Sequence, residues 1–320
     1  MKRRVLVTGG AGFIGSHVVE ALLGEGCEVA VLDDLSTGRL DNLPAREPRL
    51  EVIVGSLLEP EVCARGVRHA GAVVHLAARN SVPRSLAEPR QAVDVNVVGS
   101  LNVLEAARAA GVKRVVYASS SSVYGADPVL PMREDQPVAA CSPYGATKAA
   151  MEQLAQAWTR GFGLPTLGLR FFNVFGPRQR PQSPYAAVIP RFIEACLRDG
   201  EALIHGDGTQ TRDFTYVDNV VSANVRALVA GEGCAGRVYN VAAGGRLSVR
   251  TVYEAIATAL GCERPPRYGP PRPGDMPHSQ ADTSAAARDL GWRPGVSFEE
   301  GLRRTVAWYV ACDAAWWREG

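Results

Sequence analysis

The stretch RVLVTGGAGFIGSH, Arg4 to His17, decides the fold. Its β-branched opening, RVLVTG (4–9), reads as a strand, and GSHVVEALLGEG (15–26) reads as a helix ending at Gly24 and Gly26. Between them lies Gly9-x-x-Gly12-x-x-Gly15. Glycine permits the positive φ of a tight turn, lets a ligand approach the backbone and packs the helix close to the strand. A helix starting directly after such a turn offers free N–H groups to phosphate oxygens. Any strand–helix turn can carry glycines. What gives these meaning is the next strand, EVAVLDD (28–34), which ends in acids.

The alternation continues outward. LEVIVGS (50–56), AVVHLAA (72–78), KRVVYASSS (113–121) and TLGLRFF (166–172) read as strands. Helical patterns span roughly 94–110 and 143–160. Strands separated by helices imply βαβ units with right-handed crossovers, so the expected fold is α/β, a Rossmann-type doubly wound parallel sheet. A late strand, VYNVA (238–242), is expected to rejoin it. Beyond about residue 175 the texture changes to loops rich in proline and arginine, GPRQRPQSP (176–184) and PPRYGPPRPGDMP (265–277). The expected organisation is a dinucleotide-binding domain over 1–174 and a smaller α/β substrate domain made mainly from 175–320.

Bulk composition narrows the function classes. With 320 residues, 46% of them hydrophobic, the chain can bury a large core. A formal charge of +2 with no basic block gives no footprint for nucleic acid. Seven cysteines without a C-x-x-C pair read as reduced thiols, and His75 and His205 have no metal spacing, so no metal is expected. The basic start loses its apolar run at two glycines, and no stretch approaches the ~18 apolar residues of a membrane span. The expectation is a cytoplasmic protein without a membrane partner.

Asp33 stands 18 residues beyond Gly15, near the spacing of an acid that hydrogen-bonds an adenosine ribose. A carboxylate there repels a 2′-phosphate, which points to NAD rather than NADP. Gly9, Gly12, Phe13, Ile14, Gly15 and Asp33 are the candidate cofactor contacts.

SPYGATK (142–148) supplies the chemistry. Ser142 can cap a helix whose first turn suits Pro143, and residues i and i+4 share a face, so Tyr144 and Lys148 point the same way. Such pairs are common on helix surfaces. Here the preceding strand ends in SSSSVYG (119–125), at the cofactor edge of the sheet. A phenol with a reference pKa near 10 is a poor base at neutral pH, and a nearby ammonium and a positively charged nicotinamide favour its ionised form. Lys148 can do this while holding the nicotinamide ribose. A serine hydroxyl can pass a proton between a sugar hydroxyl and Tyr144.

Together these motifs make the chain resemble an extended short-chain dehydrogenase/reductase, and within that group the NAD-dependent nucleotide-sugar 4-epimerases. LRFFNVFGPR (169–178), RDFTYVDN (212–219) and RPGDMPHSQAD (272–282) extend the likeness over nearly the whole chain. The resemblance implies Ser120 as the catalytic serine beside Tyr144 and Lys148, assisted by Ser121. It implies Asn173, Arg212, Arg272 and Asp275 on the nucleotide part of a UDP-sugar, and a homodimer. One departure is Gly55-Ser56, where many relatives have Gly-Asp at an adenine contact. Related dehydratases carry an Asp-Glu pair, and decarboxylases a Glu, after the catalytic hydroxyl residue. Ser120-Ser121-Ser122 carries no acid, which favours simple epimerisation. A non-catalytic NAD sensor of this fold tends to lose the Tyr/Lys pair, which this chain keeps.

For the sugar, the resemblance places Ser279 near the 2-substituent, where a small residue permits an N-acetyl group. Arg180 in GPRQRP matches the loop of UDP-glucuronate 4-epimerases, and its guanidinium can pair with a C6 carboxylate. Asn173 stands where those enzymes often have Thr. The expectation leans to UDP-glucuronate/UDP-galacturonate, followed by UDP-glucose/UDP-galactose and then the N-acetyl pair.

Overall fold

The computed structural model describes residues 4–181, 186–271 and 276–312. Six strands, β1 (Arg4–Thr8), β2 (Glu28–Asp33), β3 (Leu50–Val54), β4 (Ala72–His75), β5 (Val115–Ser120) and β6 (Thr166–Phe171), join a later one, Arg237–Val241, in a parallel seven-stranded sheet. The order is β3-β2-β1-β4-β5-β6 followed by the Arg237–Val241 strand. Chain direction across the sheet therefore reverses between β1 and β4. In such sheets a ligand crevice opens at that point, over the carboxyl ends of the strands.

Side chains alternate between the two faces of each strand. Val5, Val7, Val29, Val31 and Leu169 face one layer, where they meet Val18, Val19 and Leu22 of α1 (Phe13–Gly24). Leu6, Ala30, Leu32 and Val115 face the other. There they meet α2 (Pro60–Gly66) and, beyond the short α3 (Val82–Ala87) and α4 (Pro89–Val93), α5 (Gly99–Ala109) and α6 (Pro143–Phe162). Both faces are apolar because both are covered, and each fully buried Val or Leu contributes about 1.5–3 kcal/mol. The helical pattern expected over 94–110 is an α5 preceded by a π turn, Asp94–Val98, that continues from α4.

The later residues add α7 (Val188–Leu197), α8 (Val217–Val229), α9 (Val249–Leu260), α10 (Ser284–Leu290) and α11 (Phe298–Ala311). The helices α8 and α10 close the α1 side of the sheet. A separate core joins α7, α9 and α11 through Phe192, Ile193, Val252, Ile256, Leu302 and Val306. Its strands are two or three residues long, such as Val174–Phe175 against Thr215–Tyr216 and Thr211–Arg212 against Leu247–Ser248. Among the described residues no helix is long and apolar enough to cross a membrane.

Candidate active site

Gly9 leaves β1 with φ +69°, a conformation that L side chains rarely adopt, and a Cβ there would lie 2.7 Å from the Ala77 nitrogen. A Cβ on Gly15 would lie 2.0 Å from the Gly9 carbonyl oxygen. The turn and the first turn of α1 can pack this closely only as glycines. Gly12 then caps α1 through its backbone alone, so no side chain competes for the first N–H groups. At the end of β2, Asp33 accepts hydrogen bonds from the Ala11 N–H (2.9 Å) and the Leu35 N–H (2.9 Å). Burial raises its pKa, and those two bonds oppose the rise.

These residues line a cavity of about 800 Å³ at the carboxyl ends of the strands. Gly9, Gly12, Phe13, Ile14, Gly15 and Asp33 form one end. Ser120, Ser121, Tyr144 and Lys148 form another wall, with Asn173 and Arg180 on the same cavity. Gly55 and Ser56 also line it. The cradle that a Cβ would fill, and the acid at the second strand, fit a dinucleotide without a 2′-phosphate.

The Tyr144 wall is built by α6. Ser142 caps it, accepting from the Gly145 N–H (3.1 Å), and Pro143 occupies its first turn. The Tyr144 N–H donates to Ser85 Oγ (3.0 Å), and Lys148 Nζ donates to the Ala118 carbonyl (2.8 Å) on β5. Lys148 Nζ lies 5.9 Å from the centre of the Tyr144 ring. The Ser120 hydroxyl lies near enough to the Tyr144 phenol to favour its ionised form. Burial raises the phenol above its ordinary value in the protein alone. Burial also lowers the Lys148 ammonium, to about 8, while Glu152 one turn further along α6 opposes that fall. In the protein alone, desolvation outweighs the opposing Ser120 hydroxyl.

Behind this wall Arg170 and Glu152 form a buried bidentate pair (2.9 and 2.7 Å), and the Ser119 Oγ donates to the same carboxylate. Sequence reading passed over both, because a charged residue in a strand or helix reads as a solvated one. Their side chains are 3% and 2% exposed.

A second cavity, of about 240 Å³, adjoins through Asn173, which lines both. Arg191, His205, Gln210, Arg212 and Phe214 line it too. Arg212 Nη1 donates to the Thr211 carbonyl (2.9 Å). Next to it, the fully buried Asp213 accepts from the N–H groups of Ala243 (3.0 Å), Gly244 (3.1 Å) and Ala281 (3.1 Å). Burial raises Asp213 to about 6, against those three bonds. Sequence reading missed Arg191, which lines this cavity, and the buried Asp213 next to Arg212; RDF (212–214) was the available signal for Asp213. Ser279 is not brought to either cavity: it is 2% exposed, and its Oγ accepts from the Asp213 N–H (3.3 Å). Arg272 and Asp275 lie outside the described residues. Among the described residues no group of His, Cys, Asp and Glu could hold a metal ion.

Residues 5–242 match the model of the NAD dependent epimerase/dehydratase family. A UDP-glucose 4-epimerase from Mycolicibacterium smegmatis is 42% identical over 310 residues, covering 96% of this chain and 98% of the relative. The structure of a Thermus thermophilus UDP-glucose 4-epimerase in complex with NAD superposes with a TM-score of 0.89 at 39% identity, covering 97% of this chain and all (100%) of that one. A UDP-N-acetylglucosamine 4-epimerase from Methanobrevibacter ruminantium M1, in complex with UDP-N-acetylmuramic acid, gives a TM-score of 0.92 at 40% identity, with 97% and 99% covered. The chain therefore belongs to the NAD dependent epimerase/dehydratase family, as an NAD-dependent enzyme of the extended short-chain dehydrogenase/reductase type among the nucleotide-sugar epimerases.

Proposed function

We propose that this enzyme inverts C4 of a UDP-sugar through a transient 4-keto intermediate. The observation that carries the reading is the convergence of Tyr144, Lys148 and Ser120 on the cavity that the glycine turn and Asp33 also line. Tyr144 takes the proton of the sugar 4-hydroxyl, directly or through Ser120, and returns it to the same oxygen at the end of the cycle. Lys148 holds the nicotinamide ribose and supplies positive charge beside the phenol. Gly12, Phe13 and Ile14 present the helix N-terminus to the pyrophosphate, and Asp33 binds the adenosine ribose. NAD held by Gly9, Gly12, Gly15, Asp33 and Lys148 would supply the reversible hydride chemistry at C4. Asn173, Arg212, Arg272 and Asp275 hold the nucleotide, which fits the adjoining cavity that Asn173 and Arg212 line. Carboxylates among the described lining residues are Asp33, Asp34 and Glu88, and the Ser120–Ser122 tip brings none. That supports epimerisation over dehydration.

For the sugar, Arg180 supports the uronate pair. It lines the catalytic cavity, and burial and then the nearby Arg39 lower its pKa, a setting that gains from an anionic group. The second reading is the neutral UDP-glucose/UDP-galactose pair, favoured by the name of the 42% identical relative. Placement of Ser279 lends no support to an N-acetyl preference. The quaternary reading is a homodimer. Val93 and Val98, on α4 and the π turn, are 42% and 43% exposed apolar residues available to such a contact, and the solution mass checks it.

The test is C4 inversion of the three UDP-sugar pairs by wild type, Tyr144→Phe and Arg180→Asp. Tyr144→Phe is expected to lose ~10²–10⁴-fold in turnover; near-normal turnover removes the mechanism. Arg180→Asp, which sets a like charge where the uronate carboxylate would sit, is expected to lose ~30-fold or more on the uronate alone. Intact uronate turnover in that variant removes the sugar assignment.

A further inference from the structure

The three strands that meet at the ligand crevice end level with one another. Thr8 of β1 pairs with Leu32 of β2 on one side and with His75 of β4 on the other. The segments that follow therefore leave side by side. The glycine turn is in the middle, Asp33–Ser36 on one flank and Leu76–Arg79 on the other.

One side chain links the two flanks. Arg79 Nη1 donates to Ser36 Oγ (2.7 Å), and Arg79 Nη2 lies 3.8 Å from an Asp34 carboxylate oxygen. Asp34 holds the acceptor in place, taking both the Ser36 N–H (2.9 Å) and the Ser36 hydroxyl proton. With its proton committed to Asp34, the hydroxyl presents lone pairs to Arg79. At the base of the arm, the Asn96 carboxamide accepts from the Arg79 N–H (2.7 Å) and donates to the Arg79 carbonyl (3.1 Å). The arm is thus fixed at both ends. Adjacent strands lie about 4.8 Å apart, so β2 and β4 are separated by roughly 10 Å, with the β1 turn between them. A link from flank to flank has to cross that turn.

The middle of the arm carries a second signal. Arg79 Nε is buried and has no partner within the protein. An unpaired buried donor is costly and calls for an acceptor from outside the chain. This nitrogen lies between the anchored backbone and the tip that Asp34 and Ser36 hold, on the stretch that spans the glycine turn. Asp34, Ser36 and Arg79 all line the cavity of about 800 Å³.

We propose that Arg79 is a clasp over the dinucleotide, its tip fastened to Asp34 and Ser36 and its Nε serving a pyrophosphate oxygen. A guanidinium suits both tasks, because its donors are spread over a planar fork and bind anions strongly. The clasp slows release of the cofactor, since the link between Arg79 and Asp34 has to part before the dinucleotide can leave. This rests on reading the glycine turn as the pyrophosphate site and Asp33 as the ribose site.

The experiment reads binding in the full-length enzyme. Wild type, Arg79→Met, Asp34→Asn, the double variant Arg79→Met/Asp34→Asn and Asp33→Asn are loaded with NADH. Release into excess NAD is followed by the fall in fluorescence of bound NADH. Competition by ADP and by adenosine then shows which part of the cofactor each change affects. Methionine keeps the stem of Arg79 and removes the guanidinium. Arg79→Met is expected to quicken release about tenfold or more and to weaken ADP as much, with adenosine within about twofold of wild type. Asp34→Asn, which loosens the tip, is expected to quicken release about threefold or more. The double variant is expected to be no worse than Arg79→Met, because both changes open one clasp. Unchanged release in Arg79→Met, equal losses of ADP and adenosine in that variant, or additive effects in the double variant each overturn the proposal. Should Arg79→Met not fold, Asp34→Asn must still quicken release, and unchanged release there overturns the proposal. Asp33→Asn separates the two readings. If it weakens adenosine while Arg79→Met leaves release unchanged, only the clasp falls; if it leaves adenosine binding intact, the placement of the cofactor falls and the clasp with it.

Discussion

The two ends of the ligand cleft are built by different means. At the catalytic end, Tyr144 and Lys148 hold their places by the period of α6, and Ser120 by the end of β5. Regular backbone sets the spacing there, and the buried Glu152–Arg170 pair backs it. At the other end, Asn173, Arg212 and Phe214 come from two-residue strands and the turns between them. No helical or strand period of useful length holds them. A single carboxylate, Asp213, gathers three backbone N–H groups from two loops instead. On the proposed assignment, the reacting pair stands on rigid elements, whereas the nucleotide surface is assembled from loops around one buried acceptor.

If this contrast is right, each end fails in its own way. The largest effect is expected at the catalytic end. Glu152→Gln leaves Arg170 charged and buried without its partner, and should cost about 3–5 kcal/mol in urea unfolding. Stability within about 1 kcal/mol of wild type would mean that the pair does not support α6. A smaller loss is expected at the nucleotide end. Asp213→Ala leaves three N–H groups without their acceptor and should cost about 1–3 kcal/mol. Calorimetry should show weaker UDP binding with cofactor retention unchanged, and a parallel loss of cofactor would erase the distinction between the ends.

The smallest effect concerns pH. Burial, with the Lys148 ammonium adding to it, lowers His75 to about 3. Its folded pKa therefore lies below the unfolded value near 6.5, so the stability it confers is present above pH 6.5 and is lost as pH falls towards 3. Between pH 6.5 and 5.5 this amounts to about 1 kcal/mol. His75→Gln should flatten the stability profile by that amount over that interval, whatever its stability at pH 7. An unchanged slope would show that His75 does not set it.

Legibility in the sequence follows the same division. The glycine turn, Asp33 and the Tyr144/Lys148 pair were readable because each depends on local spacing: a turn, a strand end, a helical period. Helix α1 starts at Phe13 rather than at residue 15, the usual scatter of an end whose first turn has no side-chain cap. The rise of the Tyr144 phenol in the protein alone was not readable, since burial depends on tertiary packing. Glu152 and Arg170 were invisible as a pair because β6 and α6 meet only in three dimensions. The π turn was read as plain helix, for one extra residue in a turn leaves no mark on composition. Ser279 was placed by likeness alone, and a loop residue can face either way without changing its neighbours in sequence.

The π turn also acts as a phase shift. An α-helix advances about 100° per residue, so one surplus residue between α4 and α5 resets which side each half presents. Removing one residue from Asp94–Val98 would restore a uniform helix and rotate α4 by roughly that angle against α5. Val93 would then swing away from its present outlook, and Asn96 could no longer face Arg79 and Thr147 while Ser100 faces His75. The surplus residue thus lets one continuous rod serve two masters, an outer surface and an inner wall, whose periods do not match.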